Sequence, residues 1–239
     1  MRLQALYETY TVKSFQVATG ESNIAIEHLK SMNPLLKTYL VDYGVPKEFF
    51  DANWQPAEEP NVIFIGSVTE AKGIRELIEA MSSSELQHIK IKIAGDGDLL
   101  EELQAKDMSN VEWLGRLSRE ALIRHMETAW VICIPTYADT GPSVLKEARV
   151  VGLPVITTNK AGAASYIEDQ ESGFVIKEKD IEGLKNAIMA SISSKEKCRE
   201  LGLFGWLELR DKLHCNHTIK KFTQIYQNEI DKRLSLIHI

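Results

Sequence analysis

Residues 131–158 read VICIPTYADTGPSVLKEARVVGLPVITT. The run 131–134 is apolar at every position and stops at Pro135, and 155–158 is a second β-rich run entered through Pro154. Between them Val144, Ala148 and Val151 recur at helical spacing behind Pro142, a residue suited to a first helical turn. The segment therefore reads strand, helix, strand. Strands apolar on both alternating faces are those of a parallel sheet covered by helices on both sides. Outward from this unit the pattern repeats from residue 61 to about residue 190. Strands are expected at 62–65, 89–94, 111–114, 131–134, 155–158 and 173–176. Helices are expected near 73–82, 98–106, 118–128, 142–151, 162–168 and 180–193. Strands alternating with helices give right-handed βαβ units, so the fold class is α/β, a doubly wound, Rossmann-like parallel sheet.

The flanks differ. Residues 1–60 hold two short strand candidates, 15–18 and 38–41, around a helix at 23–32, followed by a polar, Pro-bearing stretch at 52–60. That is too little for a core of its own. After residue 195 only helix is expected, and Ile219, Phe222, Tyr226 and Ile230 form a stripe that must bury against something. The final LSLIHI turns abruptly apolar and resembles a translated cloning scar, so 234–239 is set aside as a non-native tail.

With 239 residues, 44% hydrophobic and 26% charged, the chain is neither collagen-like nor largely disordered. No apolar run approaches the length of a membrane-spanning helix. A net charge of -6 argues against a nucleic-acid partner. Cys133, Cys198 and Cys215 are widely spaced and lack zinc-ligand companions, which, with no signal peptide, points to a reduced, cytoplasmic protein. Cys133 lies in an apolar run and reads as a core residue.

Ligands of a doubly wound sheet bind beyond the carboxyl ends of its strands, so the chemistry is sought in the strand-to-helix turns. The turn Gly66-Ser67-Val68-Thr69-Glu70-Ala71-Lys72-Gly73 places a lysine at a helix entrance, facing an anion or simply solvent. In Gly95-Asp96-Gly97-Asp98 the glycines form the turn and Asp98 is expected to cap the next helix; a two-carboxylate metal site there would be incomplete. Behind Pro142 the N–H groups of Ser143 and Val144 have no intrahelical partner and make an anion site. Glu147 borders the apolar side of the same helix. It is placed either to accept hydrogen bonds from sugar hydroxyls or merely to favour the helix dipole. Lys72, Arg75, Arg116, Lys146 and Arg149 supply local positive charge, each read singly as a solvated residue.

These segments, in this order, resemble the C-terminal domain of family 4 glycosyltransferases, which have the GT-B fold and transfer a sugar from a nucleotide donor with retention. The resemblance covers residues 38–190. It is carried by VIFIG at 62–66 through Lys72-Gly73, by IAGDG at 93–97, by WLGRLS at 113–118, and above all by GPSVLKEA at 141–148 followed by GLPVI at 152–156. Asp42-Tyr43-Gly44-Val45 is similar to the linker that precedes this domain.

The resemblance implies that residues 1–45 are the remnant of an acceptor-binding N-terminal domain with its linker. Residues 46–195 are then the nucleotide-sugar-binding domain, and 196–233 are helices returning toward the first domain. Lys72 would contact the donor phosphates, with Gly66, Ser67, Gly141, Ser143 and Val144 around them. Glu147 would bind ribose as the second acid of the family's Glu-x7-Glu motif, and Asp139 would stand at the first acid, near the donor sugar. Gly95, Gly115, Arg116 and Leu117 would line the base and ribose pocket. Three positions depart from the family: Ser67 where an arginine accompanies Lys72, Asp139 for Glu, and Ser165 where an acid is common. The implied activity is retaining, metal-independent transfer from a nucleotide sugar to a glycan or lipid-linked acceptor, without a cofactor, in the cytoplasm or at the inner membrane face. Peripheral membrane association would run through the other domain. The alternative is a noncatalytic nucleotide-sugar binder or scaffold.

Overall fold

The computed structural model describes residues 2–137, 139–167 and 169–237. Two compact units divide the chain: Met1–Val45 with Lys212–Ile239, and Pro46–Asp211.

In chain order the first unit contributes α1 (Arg2–Ser14), β1 (Val17–Gly20), α2 (Asn23–Met32) and β2 (Lys37–Leu40). The second contributes β3 (Asn61–Ile65), α3 (Ile74–Met81), β4 (Lys90–Ala94), α4 (Leu100–Gln104), β5 (Val111–Gly115), α5 (Arg119–Thr128) and β6 (Val131–Ile134). It continues with α6 (Ser143–Val151), β7 (Val155–Thr158), β8 (Gly173–Ile176), α7 (Ile181–Ser191) and α8 (Lys195–Leu209), and α9 (Cys215–Ile237) returns to the first unit.

All six strands of the larger unit pair in parallel, in the order β5-β4-β3-β6-β7-β8. Counting from β3 this is 3-2-1-4-5-6, the doubly wound order, whose direction of winding reverses between β3 and β6. Every residue of β3, β6 and β7 is buried, which is why their sequences do not alternate apolar with polar, and the polar members Asn61, Thr157 and Thr158 each donate a side-chain hydrogen bond to a backbone carbonyl. Helix starts follow local capping: Ser118 accepts from the Ala121 N–H, Asp180 from Gly183 and Ser194 from Lys197. On the outside of the sheet α3 packs against α7, and α6 against α8.

Several expectations are corrected. Segment 162–168 forms a 3-10 turn at Gly162–Tyr166 rather than an α-helix, and residue 168 lies outside the described residues. Asp98 is not a cap. A turn in which Leu100 N–H bonds the Gly97 carbonyl delays α4, and its first flanking residue is Leu99, with no side-chain cap. Pro142 is the residue flanking α6, and Ser143 opens the helix. Lys146 and Arg149 are buried, at 2% and 1% exposure, not solvated. The C-terminal helices divide between the units: α8 belongs with the sheet and α9 with the first unit.

The first unit is one βαβ element, with β1 and β2 parallel from Val17↔Lys37 to Gly20↔Leu40. Along α9 Ile225 is buried, while Ile219, Tyr226 and Ile230 are exposed. The expected burial of that stripe is therefore not found within the unit, because two strands offer too little apolar surface to cover it. Instead Phe222 stacks between Tyr43 and Tyr226, and Glu229 accepts from Lys37 Nζ and Tyr39 Oη, each at 2.6 Å. Helix α9 runs on to Ile237, through most of the segment set aside as a tail; residues 238 and 239 lie outside the described residues.

Candidate functional site

At the point where the winding reverses, the carboxyl ends of β3 and β6 diverge and open a cavity of about 450 Å³. Ile65, Gly66 and Ser67 line it from β3, Ile134 from β6, Leu122 from α5, and Gly141, Pro142, Ser143, Val144 and Glu147 from the entrance of α6. Lys72 and Asp139 face each other across it. A space of this size at this place in a doubly wound sheet is that of a ligand site.

Local backbone chemistry holds the two charged turns together. Gly73 adopts φ +68, and a Cβ there would strike the Pro135 carbonyl, so only glycine lets this turn approach the exit of β6. The Ala71 carbonyl accepts from the Tyr137 N–H and from Thr136 Oγ1, both at 2.9 Å. Lys72 is thus delivered opposite Asp139, with which it forms an ion pair. Asp139 in turn accepts from the Gly141 N–H at 3.2 Å, and its carbonyl accepts from Gly162 N–H at 2.7 Å. The same carboxylate therefore sets the approach of the chain to α6 and neutralises Lys72.

Helix α6 aims its amino end into the cavity. The first-turn N–H groups of a helix lack intrahelical acceptors, and Pro142 provides no side-chain cap. Glu147, just over one turn further, lies mostly out of solvent. Burial pushes its carboxyl above the ordinary carboxylate range, while Arg119 and Lys146 pull it back. The cavity thus offers helix N–H groups and a lysine to an anion, and a desolvated carboxylate to hydroxyl donors.

Eight of the residues singled out in the sequence meet here: Gly66, Ser67, Lys72, Asp139, Gly141, Ser143, Val144 and Glu147. Gly95, Gly115, Arg116 and Leu117 do not line the cavity. Gly95 serves a close backbone approach, since a Cβ on it would collide with the Gly66 carbonyl, and Arg116 pairs with Asp96 at 3.3 Å in an exposed position. Ser165 donates to the Gly162 carbonyl at 3.0 Å. Leu122 was not singled out; its position on the apolar side of α5 was the available signal. Among the described residues no group of three or more His, Cys, Asp or Glu side chains is placed to hold a metal ion. No helix among them is long and apolar enough to cross a membrane.

The family model for glycosyl transferases group 1 matches residues 46–205. The chain belongs to the group 1 glycosyl transferases. Among relatives, the amylovoran biosynthesis glycosyltransferase AmsK of Erwinia amylovora is 29% identical over 178 residues, 68% of this chain and 44% of that protein. This group 1 chain spans about half the length of the curated relatives it matches, 49% and 48% for two glycosyltransferases of Methanocaldococcus jannaschii. Among solved structures, sucrose-phosphate synthase from Thermosynechococcus elongatus superposes with a TM-score of 0.84 at 20% identity, covering 97% of this chain and 63% of that one. Anabaena HepE in complex with UDP and glucose gives 0.81 at 15% identity, covering 95% and 68%. Both are GT-B glycosyltransferases, and the likeness establishes the same fold for this member of the group.

Proposed function

We propose that this chain is the donor-binding part of a retaining, metal-independent glycosyltransferase, taking a sugar from a nucleotide sugar and passing it to a glycan or lipid-linked acceptor. The observation that carries the reading is the cavity between β3 and β6, where Lys72, the open amino end of α6 and the desolvated Glu147 converge. HepE, a structural neighbour, was solved with UDP and glucose, and AmsK is named for amylovoran biosynthesis; both support a nucleotide-sugar donor and a glycan product.

The chemistry is electrostatic and positional. The diphosphate lies against the N–H groups of Ser143 and Val144, and Lys72 exchanges its bond to Asp139 for one to a phosphate oxygen. Charge that grows on the departing diphosphate as the glycosidic bond breaks then meets donors already in place, which is the condition for lowering the barrier. Glu147 accepts hydrogen bonds from the ribose, fixing the nucleotide, and Asp139, released from Lys72, accepts from the donor sugar. Glu147 is a binding residue here, not a proton carrier. The acceptor would be held by a further domain, through which the protein associates peripherally with the inner membrane face. Three free cysteines support a reducing, cytoplasmic setting.

A second reading, a noncatalytic nucleotide-sugar binder or scaffold, is favoured by Ser67, which among the described residues leaves Lys72 as the one cation on the cavity wall and that one paired with Asp139. Calorimetric titration with UDP, GDP and ADP tests the main reading. One of them should bind without divalent ions, and Glu147→Gln should weaken it at least about tenfold by removing a charged acceptor. Absence of binding by all three would leave the scaffold reading standing.

A further inference from the structure

Among the described residues the cavity wall carries one cation and two carboxylates, and its cation is committed to Asp139. A nucleoside diphosphate brings further negative charge, which this wall meets with the α6 N–H groups and a lysine already shared with Asp139. A second cation would offset that charge. Lys160 pairs with Glu178 at 3.8 Å, Lys179 lies over the Tyr137 ring, and other nearby cations are likewise held. Arg75 is engaged by both Glu70 and Glu102. Arg116 is bound to Asp96 and lies off the cavity. Arg149 is buried, its guanidinium bonded to the Ser172 carbonyl. Lys146 is buried and has interactions of its own.

Arg119 differs. It does not itself line the cavity, but it opens α5 three residues before Leu122, which does, and so shares the side of the helix that Leu122 presents to it. Its field also reaches the cavity, being the foremost of the two charges that favour the ionised form of Glu147. Its partner Glu48 lies 3.4 Å away, and the two side chains are 53% and 45% exposed. An exposed pair of this kind is weak, screened by salt and readily opened.

We infer that Arg119 is the second cation of the donor site, leaving Glu48 to face the diphosphate of an incoming nucleotide beside Glu147. The inference rests on the donor-binding reading above. It supplies from α5 the charge that Ser67 does not supply from the β3 turn.

The test uses the full chain, with UDP, GDP and ADP and the corresponding nucleosides titrated calorimetrically. Arg119→Gln should weaken the preferred nucleoside diphosphate about tenfold, leave the nucleoside unchanged, and flatten the dependence of affinity on salt. Arg119→Lys should recover most of the loss. Arg124→Gln, an exposed charge further along α5, should change nothing. Glu48→Gln should tighten the diphosphate several-fold, and that gain should vanish when combined with Arg119→Gln.

Unchanged diphosphate affinity in Arg119→Gln, or equal loss for diphosphate and nucleoside, would overturn the assignment. An inert Glu48→Gln would overturn the proposed exchange of partners. Failure of the unaltered protein to bind any nucleotide would overturn the donor-binding reading and the role of Arg119 with it. Normal binding with an unresponsive Arg119 overturns this inference alone.

Discussion

Replacing Gly205 by alanine should be among the most damaging single-methyl additions in the larger unit. Gly205 lies in α8 with the Arg149 guanidinium of α6 directly against it, so a Cβ would fall within the guanidinium itself. That guanidinium has nowhere to retreat. Arg149 is 1% exposed, and among the described residues its Nε and Nη2 have no hydrogen-bond partner, while Nη1 donates to the Ser172 carbonyl. Burial pushes the group down to about 10, opposed by the Glu208 carboxylate.

Moving the guanidinium aside forfeits a charged hydrogen bond of about 1.5–3 kcal/mol. It also overpacks the α6–α8 contact by about 1–3 kcal/mol. Against this, alanine in place of a helical glycine returns about 1 kcal/mol. The balance is a loss of about 3 kcal/mol, a melting temperature lower by about 6–12 °C for a unit of this size. Arg149→Met removes the obstructing group together with its desolvation cost, so Gly205→Ala made in that background should cost less than about 1 kcal/mol. Thermal unfolding of the four members of this cycle measures the coupling. A drop under about 2 °C for Gly205→Ala, or an equal drop in both backgrounds, would refute the claim that Arg149 fills the notch.

Two further outcomes follow from the site. Burial raises the folded-state pKa of Glu147 above its unfolded value, so its contribution to stability is greatest below the unfolded value, near 4.5, and is lost as pH rises through the folded value. Glu147→Gln should therefore raise the melting temperature at pH 8, with the gain shrinking as pH falls toward 4.5; a pH-independent difference would contradict the burial argument. Gly73→Ala should destabilise by more than about 2 kcal/mol, from left-handed strain plus collision with the Pro135 carbonyl, and chemical denaturation would expose the error if the midpoint stayed put.

How much of this was readable from residues alone depended on which interactions are local. The six sheet strands were placed within a residue or so because each is a short run rich in β-branched, aromatic or other apolar residues, ended by glycine, proline or a polar residue. The cavity residues on the β3 and α6 turns were legible because a strand end followed by Gly, Lys or an uncapped helix start announces itself. Charges inside helices were not. Lys146 and Arg149 read as surface from their chemistry, yet both are interior, Arg149 with its guanidinium packed against Gly205 of α8. Leu122 and Arg119 were missed for a topological reason. Helix α5 leaves the edge strand β5 and crosses over to β6, which brings it beside a cavity at the centre of the sheet. No periodicity in the sequence encodes strand order. The exposed stripe on α9 shows the same limit from the other side: helical spacing establishes which residues share a face, not whether that face is covered.

Hydrogen exchange measured with and without the tightest-binding nucleoside diphosphate tests the central claim most directly. Slowed exchange confined to the backbone amides of 66–73 and 141–148, the two turns that enclose the cavity between β3 and β6, is the predicted result. Protection that spares both turns and falls elsewhere in the chain would contradict it.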